Sequence, residues 1–324
     1  MEPFSHFNAQ TIDDAVLILR RYSDRAHVIA GGTDLIGKMK DRILPGYPEA
    51  LVNIKTIPNL GFIETRNGMV RIGPLCTLEE IANSEVITHH WLALTQAAAR
   101  AASPHLREMG TIGGNICQDI RCWYYRNPNN RFPCLRKGGG RCYALEGDNR
   151  FHSIFGGSVQ EGCYAVHPSD VAPALVALDG RVKTTKRTVP IEDFFSVSVQ
   201  KTTILDADEI VTEIRLPLPV EGTKSAFGKF ALRASIDFPI VNCAAAVTVS
   251  QGKAIAARIC LNAVYVTPYR PAASEEAILG KPLTDVNIER AADAAVSGAK
   301  PLSRNRYMVQ IARTMVKRAL LACR

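Results

Sequence analysis

Five of the nine cysteines in this 324-residue chain fall between Thr111 and Asp170. That stretch opens on Thr111-Ile112-Gly113-Gly114-Asn115, read as a turn that leaves backbone amides bare, and closes on His167-Pro168-Ser169-Asp170. Between them the chain is rich in Gly, Asn, Arg and Pro and offers little apolar surface to bury. A segment so composed cannot offset its own ordering entropy by core formation. Thiolate ligation is the chemistry at hand. Cys122, Cys134, Cys142 and Cys163 are separated by eleven, seven and twenty residues. This is neither the paired spacing of a zinc finger nor the compact run of a bacterial ferredoxin. Four thiolates assembled from an extended loop suit tetrahedral zinc or a [4Fe–4S] cube, and scattered structural thiols remain the alternative. Cys117 follows the glycine turn directly and reads equally well as a small core residue. Cys76, Cys243, Cys260 and Cys323 sit singly in apolar segments and read as core.

An earlier stretch repeats the glycine theme. His27 to Ala30 reads as a buried strand, Gly31-Gly32-Thr33-Asp34 as a turn, and Leu35, Ile36 and Met39 as the start of a helix. Strand, paired glycines and helix start expose several amides to an anion, although two glycines also serve simply to turn a chain. Around these motifs the periodicity predicts a first helix capped by Thr11 with Asp14, its stripe made of Val16, Leu17 and Leu19. It predicts a hairpin turning at Asn67-Gly68, a helix capped by Thr77 and Glu80 running through Ile87, and an alanine-rich helix over 91–102. Pro217 to Gly222 is the best linker. Beyond it, three strands and then three helices make an α+β unit.

The chain is long enough for two domains. No run approaches the roughly 20 apolar residues of a membrane span, and the polar, acidic start is unlike a signal peptide, so the cytoplasm is the expected compartment. The net charge of +8 is spread from Arg20 to Arg324 without the aromatic-interleaved basic stripe of a nucleic-acid binder. A solvated surface or a docking face for an acidic partner accounts for it. The remaining histidines, His6, His27, His89, His90, His105 and His152, have no partner at ligand spacing, and nothing makes His167 a general base.

Four motifs stand in one order: Ala30-Gly31-Gly32-Thr33-Asp34-Leu35, Thr111 to Asn115, Ser169-Asp170-Val171-Ala172-Pro173, and Arg233-Ala234-Ser235-Ile236-Asp237-Phe238-Pro239. Together they resemble the FAD-binding medium subunit of molybdenum hydroxylases, the xanthine dehydrogenase and carbon monoxide dehydrogenase family. The likeness covers essentially the whole chain. It implies an α+β fold like that of vanillyl-alcohol oxidase (PCMH-type), with two subdomains holding FAD over residues 1–220, then a C-terminal domain of a three-stranded sheet and helices over 223–324. By the same resemblance Val28, Ile29, Ala30, Gly31, Gly32, Thr33, Asp34 and Leu35 form a first pyrophosphate loop, and Thr111, Gly113, Gly114 and Asn115 a second. Asp170 would lie at the cofactor, with Val211, Lys229 and Asp237 as further contacts, the last two near the flavin ring and its redox edge.

Most medium subunits pass directly from the Gly-Gly-Asn loop to the Ser-Asp turn, whereas this sequence inserts about forty residues within 117–165. The insertion is similar to the [4Fe–4S] loop of the 4-hydroxybenzoyl-CoA reductase β subunit and of aldehyde oxidoreductase flavoprotein subunits. That makes Cys122, Cys134, Cys142 and Cys163 the implied metal ligands. The implied role is electron transfer, with no catalytic residue in this chain. Its implied partners are a large molybdenum-cofactor subunit, a small subunit with two [2Fe–2S] clusters, and an external acceptor or donor such as NAD or ferredoxin. Against it stand a self-contained flavin oxidase, for which no acid–base set is visible, a zinc-stabilised scaffold without flavin, and a nucleic-acid binder.

Overall fold

Three sheets follow one another along the chain in a computed structural model that describes residues 1–158 and 162–324. The first is built from β1 (Ser5–Asn8), β2 (Ala26–Ile29) and β3 (Ala50–Asn53), with α1 (Ile12–Tyr22) and α2 (Leu35–Lys40) as crossovers. All pairs are parallel and the order is β1-β3-β2. The Thr11 hydroxyl accepts the Asp14 N–H at 3.0 Å and starts α1 as expected. The stripe is corrected in one place. Ala15 and Leu19 are buried, while Leu17 is 62% exposed, because a residue two positions from each of them falls on the opposite side of a helix.

The second sheet is antiparallel, in the order β4-β5-β8-β6-β7. Strands β4 (Ile63–Arg66) and β5 (Met69–Ile72) meet at Asn67 and Gly68, both with positive φ, as a two-residue hairpin requires. Five helices follow: α3 (Leu78–Ala82), α4 (Glu85–His90), α5 (Leu92–Ala99), α6 (Pro104–Met109) and α7 (Ile112–Ile116). The expected helix through Ile87 breaks after Ala82. There the Asn83 side chain turns back to the Glu79 carbonyl and the Ser84 hydroxyl accepts the Ile87 N–H, so side chains compete with the helical ladder. After the insertion come α8 (Val171–Ala177), β6 (Arg181–Thr184), β7 (Thr188–Pro190), α9 (Ile191–Phe194) and β8 (Val211–Pro217). Every residue of α8 is buried.

The C-terminal sheet is a meander of β9 (Thr223–Phe230), β10 (Val241–Ser250) and β11 (Lys253–Asn262), followed by α10 (Ala272–Ile278), α11 (Asp285–Ala295) and α12 (Tyr307–Ala322). Strand β10 is covered on both faces. Ala244 and Ala246 join the core around α5 and α8, while Cys243, Ala245 and Val247 join the core around α12. Alternation along a strand sends neighbours to opposite faces, so one alanine-rich strand locks the C-terminal sheet onto the preceding domain. Among the described residues no helix is long and apolar enough to cross a membrane.

Candidate functional site

The two glycine turns meet because one of them has no side chain to hold them apart. A Cβ on Gly31 would lie 1.9 Å from the Met109 carbonyl oxygen, so only glycine lets the first turn rest on the peptide that leads into Thr111. A cleft of about 580 Å³ lies between the turns, a size suited to a small-molecule or cofactor site. All of Val28 to Leu35 line it, with Thr111, Gly114, Asn115, Asp170 and Asp237. Among the described residues the N–H groups of Gly31, Gly32 and Thr33 find no protein acceptor. Successive bare amides at a glycine turn form a nest for anionic oxygens, and this is what a dinucleotide diphosphate needs.

The second turn departs from the expectation of bare amides. It is the one-turn helix α7, in which Gly113 N–H donates to the Pro74 carbonyl at 3.0 Å, Gly114 N–H to Thr111 Oγ1 at 3.1 Å and Asn115 N–H to the Thr111 carbonyl at 2.8 Å. Thr111 acts as an N-cap and satisfies amides that the linear motif leaves open. Gly113 is packed on Pro74 and takes no part in the cleft wall. Gly114, by contrast, faces the cleft, where an added Cβ would meet only Thr111 Oγ1. Asn115 is held through its side chain, which accepts the Ser169 hydroxyl at 2.5 Å.

A buried charge network ties the first turn to the cysteine insertion. Asp34 accepts from Arg126 Nη1 at 2.7 Å and from the Asp119 N–H at 3.0 Å. Asp119 in turn faces Lys38 at 3.3 Å, Arg136 at 3.9 Å and the Tyr125 hydroxyl. Burial by itself would raise the Asp34 carboxyl, but Arg126 and Lys38 hold it below its ordinary value. The same contest at Asp119, won by Lys38, Arg136 and Arg126, leaves that carboxylate strongly depressed. Asp34 is therefore an ionised anchor for the insertion. At the far wall Asp170 pairs with Lys229 Nζ at 2.7 Å and accepts from Asn242 Nδ2 at 2.8 Å. Burial nevertheless pushes its carboxyl above the ordinary value.

The four expected ligand cysteines come together. Cys122, Cys134, Cys142 and Cys163 line one small cavity with Tyr124, Tyr125, Tyr143 and Arg136. None is in a disulfide. Among the described residues no three His, Cys, Asp or Glu side chains close tightly enough to hold a single metal ion. One tetrahedral ion requires every sulfur at about 2.3 Å, whereas a cube with one thiolate per iron spreads its ligands over a larger volume. The surroundings suit an anionic centre. The Lys137 ammonium is buried with no hydrogen-bond acceptor among the described residues, 5.7 Å from the centre of the Tyr125 ring, and its charge is felt by Cys134 and Cys122. Burial pushes the Cys122 thiol up to about 12, so a metal taking this sulfur as a ligand would have to displace its proton.

Other expected site residues are placed differently. Val211 is buried in the main core at the start of β8 and does not reach the cleft. The Lys229 ammonium is taken up by Asp170 and the Arg100 carbonyl. Asp237 does line the cleft, chelated by Arg233 at 2.5–3.0 Å. Cys117 is exposed on the cleft wall rather than packed in the core, while Cys76, Cys243, Cys260 and Cys323 are buried. His152, set aside on spacing, lies with Nε2 at 3.2 Å from Cys122 Sγ. Arg121, Arg126, Lys38 and Lys137 had no signal beyond their proximity to the motifs, since each acts through contacts formed only on folding.

Comparison with known proteins agrees with this geometry. Residues 2–219 match the family described as the FAD binding domain in molybdopterin dehydrogenase, and residues 226–323 match the CO dehydrogenase flavoprotein C-terminal domain. The chain is 30% identical to the aldehyde oxidoreductase FAD-binding subunit PaoB of Escherichia coli, covering 100% of this chain and 99% of that protein. It is 29% identical to the carbon monoxide dehydrogenase medium chain of Hydrogenophaga pseudoflava over 98% of this chain and 96% of the other. A carbon monoxide dehydrogenase structure from the same organism superposes with a TM-score of 0.78 at 28% identity, over 100% of this chain and 98% of the other. The chain belongs to the FAD-binding medium-subunit family of the molybdenum hydroxylases, and is an oxidoreductase flavoprotein of that family.

Proposed function

We propose that this chain is the electron-transferring subunit of a molybdenum-dependent hydroxylase, dehydrogenase or reductase, holding FAD in the cleft and a [4Fe–4S] cluster on Cys122, Cys134, Cys142 and Cys163. One observation carries the reading: two glycine turns far apart in sequence share one cleft, and the first presents free amides to it. FAD, when bound, exchanges electrons singly or in pairs, and the protein's part is orientation and electrostatics. The amides of Gly31 to Thr33 hold the diphosphate. Gly114 leaves room for it, and Asp237 stands on the cleft wall as a polar contact for the ring. The buried Lys137 ammonium, without a hydrogen-bond acceptor among the described residues, and the four converging thiols support the cluster.

Substrate chemistry belongs to a large molybdenum-cofactor subunit, and a small subunit with two [2Fe–2S] clusters links it to this chain. The external partner is an acceptor or donor such as NAD or ferredoxin. In this assignment residues 1–220, with the iron–sulfur loop at 117–165, carry both centres, and residues 223–324 brace the Ser169-Asp170 turn. Relatives named for aldehyde and for carbon monoxide support a redox complex whose substrate is set outside this chain. The visible spectrum of protein purified without oxygen tests the proposal. Flavin bands in the blue with a broad iron–sulfur shoulder support it, and a colourless protein containing zinc overturns it.

A further inference from the structure

Arg121 stands where the two proposed centres adjoin: it lines the cleft and immediately precedes Cys122. Its guanidinium carbon lies 3.9 Å above the centre of the Phe238 ring, and Nη2 is 3.4 Å from Asp34 Oδ1. Nε is buried without an acceptor among the described residues. Asp34 does not need this arginine, since it already accepts from Arg126 and from the Asp119 N–H. Every nitrogen of Arg126 already has a protein acceptor. Its Nε, Nη1 and Nη2 donate to the Ile120 carbonyl, Asp34 and the Asp119 carbonyl.

The charge balance points the same way. Among the described residues the ion-pair partners of Lys38, Arg121, Arg126 and Arg136 are two carboxylates, Asp34 and Asp119, so positive charge is in excess beside the bare amides of the first turn. Among the other carboxylates on the wall, Asp170, Asp206, Glu209 and Asp237 are matched by Lys229, Lys186, Arg187 and Arg233, and Asp24 forms no ion pair with the four cations among the described residues. A planar fork with surplus charge, held at the cleft wall next to a nest of free N–H groups, is complementary to phosphate oxygens.

We infer that Arg121 binds the diphosphate of the dinucleotide, so that the cysteine insertion completes the flavin site as well as holding its own centre. This rests on the flavin reading above. Phe238 sets the plane of the guanidinium and Asp34 tethers Nη2, which leaves Nη1 as the donor for the ligand.

The test uses the full chain stripped of flavin and titrated separately with FAD and with ADP, which carries the diphosphate without the isoalloxazine. Iron per chain is measured on the same samples. In R121Q both dissociation constants rise ten- to hundred-fold with iron unchanged. In R121K, which keeps the charge without the fork, they rise threefold or more. Affinities within twofold of the wild type in R121Q overturn the assignment, and so does a loss confined to FAD, which would move Arg121 to the isoalloxazine end. Should R121Q lose iron or fail to fold, R121K decides, and unchanged ADP binding there overturns the inference. A wild-type chain that binds neither ligand overturns the flavin reading itself, whereas an unaffected R121Q in a chain that does bind FAD overturns this assignment alone.

Discussion

Replacing Gly114 by valine separates the wall of the cleft from the packing beneath it. Gly114 is exposed inside α7, and an added Cβ meets only Thr111 Oγ1, at 3.1 Å. Helix propensity favours valine over glycine by about 0.3 kcal/mol, while disturbing the Thr111 cap costs about 1 kcal/mol. The two nearly cancel, so the flavin-free chain should melt within about 4 °C of the wild type. The γ-methyls, however, would narrow the cleft at Gly114 and push the proposed diphosphate away from the free amides of Gly31 to Thr33. Losing even one hydrogen bond to a charged group removes about 1.5–3 kcal/mol, a fall in affinity of roughly ten- to hundred-fold. The assay is flavin per chain by absorbance, paired with a thermal melt of the stripped protein. Wild-type flavin occupancy in Gly114→Val refutes the reasoning, and so does a destabilisation above about 3 kcal/mol, which would mean that the side chain meets more than Thr111. Gly31→Ala is the contrasting control, because its Cβ would sit 1.9 Å from the Met109 oxygen. It should cost about 2–3 kcal/mol or more by overpacking.

Cys134→Ser should lower the iron bound by this chain while FAD stays at wild-type stoichiometry, and unchanged iron would remove Cys134 from the ligand set. Lys229→Met strands the buried Asp170 carboxylate and should cost about 3–5 kcal/mol in urea unfolding, with much of the loss recovered in Lys229→Met/Asp170→Asn; a cost under 1 kcal/mol would show that the pair carries little. Glu213 is held at about 2 by hydrogen bonds from Arg71, with Arg215 also donating to it. A carboxyl depressed in the folded state contributes stability above its unfolded value of 4.5 and loses it as pH falls towards 2. Glu213→Gln should therefore flatten the acid side of the stability profile, and a urea midpoint series with the parent's acid slope would contradict this.

Local chemistry was legible wherever it acts over three or four residues. The Thr11 and Thr77 caps, the Asn67-Gly68 turn and the meander with its helices needed no distant partner. Errors arose where a nearby competitor took the same backbone groups, as at Asn83 and Ser84, or where the Thr111 hydroxyl closed amides expected to be open. Val211 and Lys229 came in by resemblance alone, and neither offers a free group to the cleft.

Residue types and their order established the elements, the two glycine turns and the set of four cysteines, because those properties are carried by the covalent chain itself. Only the tertiary structure decided that the turns share a cleft, that the cysteines surround one cavity, and that Asp34 is tied into the insertion's charge network. Such relations join residues far apart in the chain, as Asp34 is joined to Asp119 and Arg126 across 85 and 92 positions. Nothing in the spacing of a linear chain records which of its charges will be buried together, since burial and its compensation exist only once the layers have packed.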